Sequence, residues 1–427
     1  MKAYPTYKDS GVQWLGDVPS SWNVFPAKQV FADCKERRWE EDSFLTASQK
    51  YGVISQQRYM QLIGGRIVQA SQDFDKWKHV EPDDFVISLR SFQGGLEMCA
   101  ERGCVTWHYV VLKPKMEIIP LYFKWLFKSY SYIKSLQSTC NFIRDGQDLR
   151  YSNFVQVPIP FPPLTEQKAI ATFINKKCAE IEELISRRQS IIERLRELKQ
   201  SIIAEAVTKG LNPDVPMKDS GIAWLGEVPQ HWNIERLQWH LREIKEINSP
   251  IKTNRVLSLT NKKGVIPYEE KGNQGNKAKA SHDEYKLAYP DTLVMNSMNV
   301  IIGSVGICNY FGCVSPVYYI FKTAGETMLS FVNYVFQTTR FQKELRRHAK
   351  GILEIRLRLS SDDILKQLVA FPPLHEQQSI VAYLDKKCSD IDELVARQEQ
   401  IIEKLKELKT STIAHVVTGK VDVRDAI

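Results

Sequence analysis

Residues 162–210 read PPLTEQKAIATFINKKCAEIEELISRRQSIIERLRELKQSIIAEAVTKG, and residues 372–420 read PPLHEQQSIVAYLDKKCSDIDELVARQEQIIEKLKELKTSTIAHVVTGK. At the offset of 210 residues (372 − 162), 25 of the 49 aligned positions are identical. Two unrelated segments do not agree to that extent, so the chain contains an internal repeat. Each copy predicts one long helix. The Pro-Pro pair stops what precedes it and suits a first helical turn, and Glu166 and Glu376 favour the positive end of the helix dipole. Apolar residues recur near heptad spacing at Ile181, Leu184, Ile191, Leu195, Leu198 and Ile202, and again at Ile391, Leu394, Ile401, Leu405 and Leu408. Such a stripe has to be buried against a partner, and the duplicate helix is at hand. Arg188 and Gln398 interrupt the stripe, either as long side chains that reach out of it or as a polar layer that sets register.

The copies bound four segments: a mixed domain at residues 1–161, a helix at 162–211, a second mixed domain at 212–371, and a second helix with a tail at 372–427. The short connection at residues 211–216 leads from the end of the first helix into the second domain. Because the termini of a domain tend to lie close together, the second helix is expected to start near the end of the first and to run antiparallel to it. The expected fold class is α+β, with two mixed domains separated by two long helices that pair as an antiparallel coiled coil. The result is a dumbbell with approximate twofold symmetry, its helices roughly 65 Å long at 1.5 Å per residue.

The repeat extends into the domains. KDSGVQWLGDVP at residues 8–19 returns as KDSGIAWLGEVP at residues 218–229, and Trp22-Asn23 returns as Trp232-Asn233. Residues 122–136 and 329–345 each predict one amphipathic helix. Phe85-Val86-Ile87-Ser88 and Leu293-Val294-Met295-Asn296 predict buried strands that follow turns at Pro82-Asp83-Asp84 and Pro290-Asp291-Thr292. Gly103-Cys104-Val105-Thr106 aligns with Gly312-Cys313-Val314-Ser315, now 209 residues apart.

What sits on this common skeleton has diverged. Ser88-Leu89-Arg90-Ser91-Phe92-Gln93-Gly94-Gly95 in the first half faces Asn296-Ser297-Met298-Asn299-Val300 in the second. Candidate nucleic-acid contacts in the first half are Arg37, Arg38, Gln56, Gln57, Arg58, Arg90, Ser91 and Gln93, expected on loops. In the second half they are Asn261, Lys262, Lys263, Lys271, Asn273, Gln274, Asn276, Lys277, Lys279, Asn296 and Asn299. Arg, Asn and Gln make paired contacts to base edges, while Lys beside Gly suits phosphates. Taken one at a time, each cluster reads equally well as solvated surface.

Composition sets limits on function. The formal net charge of +8 is compatible with an anionic partner. No apolar run is long enough for a membrane span, and MKAYPTYKDSG lacks the apolar core of a signal peptide, so a cytoplasmic protein is expected. Eight cysteines, one in each helix (Cys178 and Cys388), suit reduced thiols. No phosphate loop, dinucleotide fingerprint or catalytic signature is present. Cys99, Cys104 and His108 could be zinc ligands, but the second half offers Cys308 and Cys313 without a matching histidine. No metal site is therefore expected.

Two divergent domains alternating with two near-identical helices, each helix opening on Pro-Pro-Leu-x-Glu-Gln, resemble the specificity subunit of type I restriction-modification systems. The Lys-Asp-Ser-Gly-x-x-Trp-Leu-Gly and Val-Pro-x-x-Trp segments strengthen the resemblance, which covers essentially the whole chain. It implies a non-catalytic subunit whose two domains each recognise one half of a bipartite double-stranded DNA target. The helices would set the spacing and carry two modification subunits. This chain would hold no cofactor, since S-adenosylmethionine would be bound by the adenine-methylating modification subunit. Motor-nuclease restriction subunits would join for cleavage.

Overall fold

A computed structural model describes residues 2–67, 73–88, 91–139, 149–260, 264–272, 281–349 and 357–426. The chain divides into two compact units, residues 1–188 with 400–427 and residues 189–399. Both dividing lines fall inside the long helices, which span Leu164–Lys209 and Leu374–Val417. Each unit therefore holds one mixed domain and a part of both helices.

Unit one is built on a four-stranded antiparallel sheet in the order Phe31–Cys34, Val110–Pro114, Phe85–Ile87, Glu97–Met98. Alternation along a strand sends successive side chains to opposite faces, and here both faces are covered. Phe85, Ile87 and Leu112 enter a large core with Phe31, Phe123, Phe127 and Phe154. Val86 and Val111 enter a smaller one with Leu45, Val53, Val80 and Val105. The large core also takes in Ile170, Ile174 and Cys178 from the start of the first long helix and Ile413, Val416 and Val417 from the end of the second. Within this unit the two helices are antiparallel.

Unit two repeats the plan. Its sheet runs Leu241–Ile244, Tyr318–Thr323, Thr292–Asn296, Val305–Cys308. Leu293, Met295 and Phe321 face one core and Val294 and Ile320 the other. The end of the first long helix (Ile203, Ala206, Val207) meets the start of the second (Ile380, Leu384, Cys388) in the larger core. Here too the helices run antiparallel. The two turns share a backbone requirement, since Asp83 and Asp291 both adopt positive φ, 69° and 57°. Gly103 and Gly312 are also forced, because a Cβ would lie 2.3 Å from the Ser43 carbonyl oxygen and 2.7 Å from that of Arg255.

The segments expected as single helices at 122–136 and 329–345 are each two. Pro120–Lys128 is followed by Tyr130–Ser138, and Leu329–Gln337 by Thr339–His348. The breaks fall at Ser129 and Thr338, whose hydroxyls donate back to Leu126 O at 2.7 Å and Val335 O at 2.8 Å. That local bond competes with helix continuation, and the backbone turns extended, with ψ of 140° and 131°.

The Pro-Pro-Leu-x-Glu-Gln segments clamp helix to domain. Gln167 accepts the Ile119 N–H at 2.9 Å and donates to Pro162 O at 2.9 Å. Gln377 does the same with Met328 N–H at 3.0 Å and Pro372 O at 2.9 Å. Glu166 accepts the Trp22 indole N–H at 2.9 Å, and Glu376 accepts that of Trp232 at 3.2 Å. Both tryptophans are fully buried.

The buried stripe of the long helices is displaced from part of the sequence expectation. Ile181, Leu195, Ile391 and Leu405 do lie on the inward face. Leu184, Ile191, Leu198, Leu394 and Leu408 are exposed, and the inward positions are instead Ile185, Ile192, Val395 and Ile402, beside the half-buried Arg188 and Gln398. Ile401 is half-buried next to the buried Ile402. Each helix carries two apolar stripes side by side, and spacing alone does not say which one faces the partner helix. The seam is completed by half-buried lysines whose stems cover apolar surface while their heads reach acids. Lys409 Nζ lies 2.6 Å from Glu182 in unit one and Lys199 Nζ 2.7 Å from Asp392 in unit two. Both members of the one pair are the 210-residue repeats of the other, so the two units share one helix register.

Neighbouring residues Ile191 and Ile192 separate the two stripes. Ile192 is 5% exposed and Ile191 39%. Ile192→Ala is expected to cost about 2–4 kcal/mol through the cavity it leaves. Ile191→Ala on the isolated chain should change stability by under about 0.5 kcal/mol. Urea unfolding followed by circular dichroism measures both.

Candidate nucleic-acid interface

On unit two the structure brings three of the candidate residues into one cleft of about 330 Å³, lined by Lys271, Asn296 and Asn299 together with Tyr268, Tyr285 and Tyr318. The elements that place them are short. Gly264–Pro267 leads into a 3₁₀ turn, Tyr268–Lys271, which carries Lys271 so that its ammonium lies 4.9 Å from the Tyr268 ring centroid. Asn296 ends the central strand, and its side-chain oxygen accepts the Met298 N–H at 3.1 Å, which fixes the bend that follows. Asn299 projects beyond it and is exposed. Below the cleft, Lys286 donates to Tyr318 O at 2.8 Å and lies over the Tyr319 ring, and burial pulls its ammonium pKa down. Aromatic faces, an amide at the rim and a lysine form a surface suited to planar, hydrogen-bonding, anionic ligands. Asn261, Lys262, Lys263, Asn273, Gln274, Asn276, Lys277 and Lys279 lie outside the described residues.

Unit one uses different groups on the same frame. Gln56, Gln57 and Arg58 do not lie on a loop but on the first turn of a helix, Gln56–Ile63. Ser55 caps it, its hydroxyl accepting the Arg58 N–H at 3.4 Å, and Gly64 closes it in the left-handed region. This Ser cap within a polar run is the helix signal. Arg58 is ion-paired to Glu101 at 2.8 Å. Arg37 is exposed and donates to Lys76 O at 2.8 Å, while Arg38 is half-buried. Ser91 is a correction, because it is 1% exposed and its hydroxyl accepts the Ser88 N–H at 2.8 Å, closing a turn under the strand end. It presents nothing to a ligand. Arg90 and the side chain of Gln93 lie outside the described residues.

Unit one also presents exposed aromatics, which charge patterning does not reveal. Trp39 carries Arg102 over its ring at 5.4 Å, and Trp107 stacks on His108 at 3.5 Å. Trp39 also stacks at 3.8 Å on His79, which is fully buried. His79 Nδ1 lies 2.9 Å from Asp42 and Nε2 3.1 Å from Glu81, which in turn pairs with Arg102 at 2.9 Å. The Asp–His contact has the form of a general-base pair, but the second ring nitrogen is taken by a carboxylate rather than a nucleophile. The thiols are no better placed. Burial pushes Cys104 up to about 12 and Cys313 up to about 11, and raises Cys99 and Cys308 as well. Among the described residues no group of acids, histidines and cysteines has the geometry of a metal site.

Residues 19–194 match the Type I restriction modification DNA specificity domain. Along almost its full length the chain is also similar to the protein named as specificity subunit of the type I restriction enzyme MjaX of Methanocaldococcus jannaschii, at 21% identity over 96% of each chain. The chain is thus similar to type I specificity subunits along nearly its whole length. The EcoKI specificity subunit of Escherichia coli is another relative, 21% identical over 73% of this chain and 67% of that one. Two solved structures share the specificity-subunit fold. One is a chain from a type I restriction-modification system studied for its assembly and conformational transition, with TM-score 0.67 at 15% identity over 95% of this chain and 99% of that one. The other is the HsdS subunit of Thermoanaerobacter tengcongensis, with TM-score 0.52 at 16% identity over 95% and 98%.

Proposed function

We propose that this chain is the DNA-recognition subunit of a type I restriction-modification complex and that it performs no chemistry itself. One observation carries the reading. The two units keep the same sheet order, the same helix clamp and the same forced turns, yet the residues at the strand ends differ. Unit two offers Lys271, Asn296 and Asn299 around a tyrosine cleft, whereas unit one presents Trp39, Arg102 and the Gln56–Ile63 helix. A common frame with two different faces suits a bipartite target, each half read by its own unit. S-adenosylmethionine and the methyl transfer belong, in this reading, to the modification subunits.

The exposed stripe on the long helices supplies the docking surface for those subunits. Leu184, Ile191 and Leu198 on the first helix, and Leu394 and Leu408 on the second, recur at heptad spacing or its double and are exposed in the chain alone. Apolar residues on that period fit a partner helix. No helix among the described residues is long and apolar enough to cross a membrane, so the stripe is not part of a membrane span.

Three outcomes follow. Asn299→Ala should cost about 1–3 kcal/mol if its amide reads a base edge, and the loss should fall on one half-site only. Binding to duplexes mutated in one half or the other measures this, and equal loss on both sequences refutes it. Leu198→Asp with Leu408→Asp should leave the unfolding midpoint of the isolated chain unchanged but weaken co-elution with the modification subunit by at least tenfold. Finally, one heptad inserted after Leu195 and one after Leu405 keeps the seam in phase and lengthens the pair by roughly 10 Å, about three base pairs of DNA. Methylome sequencing of a host carrying this variant should show unchanged half-sites with a longer gap. Robust methylation at the original spacing contradicts a helix-set distance.

A further inference from the structure

The internal repeat makes each unit a control for the other, and they differ at the foot of the long helices. In unit one the foot is covered by residues 2–4 together with 422–424. Lys2 bridges Asp422, and Tyr4 and Val423 are buried in the main core. The Tyr4 hydroxyl donates to Glu166, its ring meets Trp22 edge-on at 6.0 Å, and the Arg424 guanidinium lies 5.1 Å from the Tyr4 centroid. In unit two the corresponding stretch is the shorter connection at residues 211–216, and none of these residues joins the core.

The consequence is an uncovered cleft of about 660 Å³, lined by Ile202, Ala206, Leu211, Met217 and Tyr383. Phe173 in unit one is 5% exposed, while Tyr383, its repeat partner, is 37% exposed. Gly210 in the cleft wall backs onto Trp232 and onto Oε1 of Glu376. His231 and Trp232 both engage the other oxygen, Oε2, at 2.8 Å and 3.2 Å. Glu205 and Glu227 also line the cleft, against the one lysine among its lining residues, Lys209.

We infer that this cleft of unit two is a docking site for an extended segment of another protein that carries a tyrosine with a basic residue beside it. Unit one displays the chemistry of such an occupant. An apolar side chain replaces Val423, a phenol reaches the helix-start carboxylate as Tyr4 does, and a cation takes the place of Arg424. The acidic rim of unit two complements that cation. The inference is independent of DNA recognition, and loss of DNA binding would not touch it.

The probe is a fluorescent peptide with residues 420–427 joined to residues 1–7 of this chain, the stretch that fills the equivalent place in unit one. Anisotropy titration of the full chain should show saturable binding of one peptide per chain. A peptide with Tyr4→Ala, and separately the chain with Tyr383→Glu or Leu211→Asp, should bind at least tenfold more weakly while those variants keep the wild-type unfolding temperature. No saturable binding overturns the proposal, as does binding that neither chain variant weakens. Light scattering that finds a dimer of the chain, dispersed by Leu211→Asp, makes a second copy the occupant and also overturns it.

Discussion

Each half of this protein depends on a buried amide at the start of a long helix. The first N–H groups of a helix have no partner within it, and the chain entering a helix after two prolines has few donors to offer. Gln167 and Gln377 each use one side chain to bond in two directions, donating to the proline carbonyl just before the helix and accepting an N–H of the neighbouring domain. The adjacent glutamate lies at the positive end of the helix and receives a buried indole N–H. Apolar contact holds a helix against a core without fixing its direction. Directional bonds from buried groups add a defined orientation, because leaving any of them unmade costs on the order of 1–3 kcal/mol.

On that anchored frame, identity between the mixed domains includes positions where geometry leaves little choice. A Cβ at Gly103 or Gly312 would collide with a backbone carbonyl. Lys78 and Lys286 both span to a carbonyl, Tyr109 O at 2.7 Å and Tyr318 O at 2.8 Å. The strand ends and the short helices above them face solvent or a ligand and are free of such constraints. There the halves diverge, with Trp39 stacked on a buried histidine in one and three tyrosines around a cleft in the other. In the proposed reading, divergence on a constrained frame lets the two surfaces vary independently.

The helix pair separates two demands that a single stripe could not meet. One face is closed within each unit by Ile185, Ile192, Val395 and Ile402 and by lysines whose ammonium groups reach acids on the opposite helix. Such exposed ion pairs contribute little stability, typically under about 1 kcal/mol, but they favour one register over its neighbours. The adjacent stripe is left exposed in the chain alone.

The amino-acid sequence by itself determined the repeat, the two long helices and the α+β class, because these rest on periodicity and on identity at a fixed offset. It also singled out Lys271, Asn296 and Asn299, which line one cleft. The sequence could not say which of two neighbouring apolar stripes turns inward, since Ile191 and Ile192 differ by one position and only the partner helix distinguishes them. Nor could it foresee that Ser91 is spent on a turn, that Ser129 and Thr338 break what periodicity joins, or that tyrosines far apart in sequence wall one cleft. The covering of one helix foot by residues 2–4 and 422–424, and the openness of the other, is likewise a tertiary fact. Each of these depends on which surfaces meet in space, and tertiary contact rather than local propensity decides that.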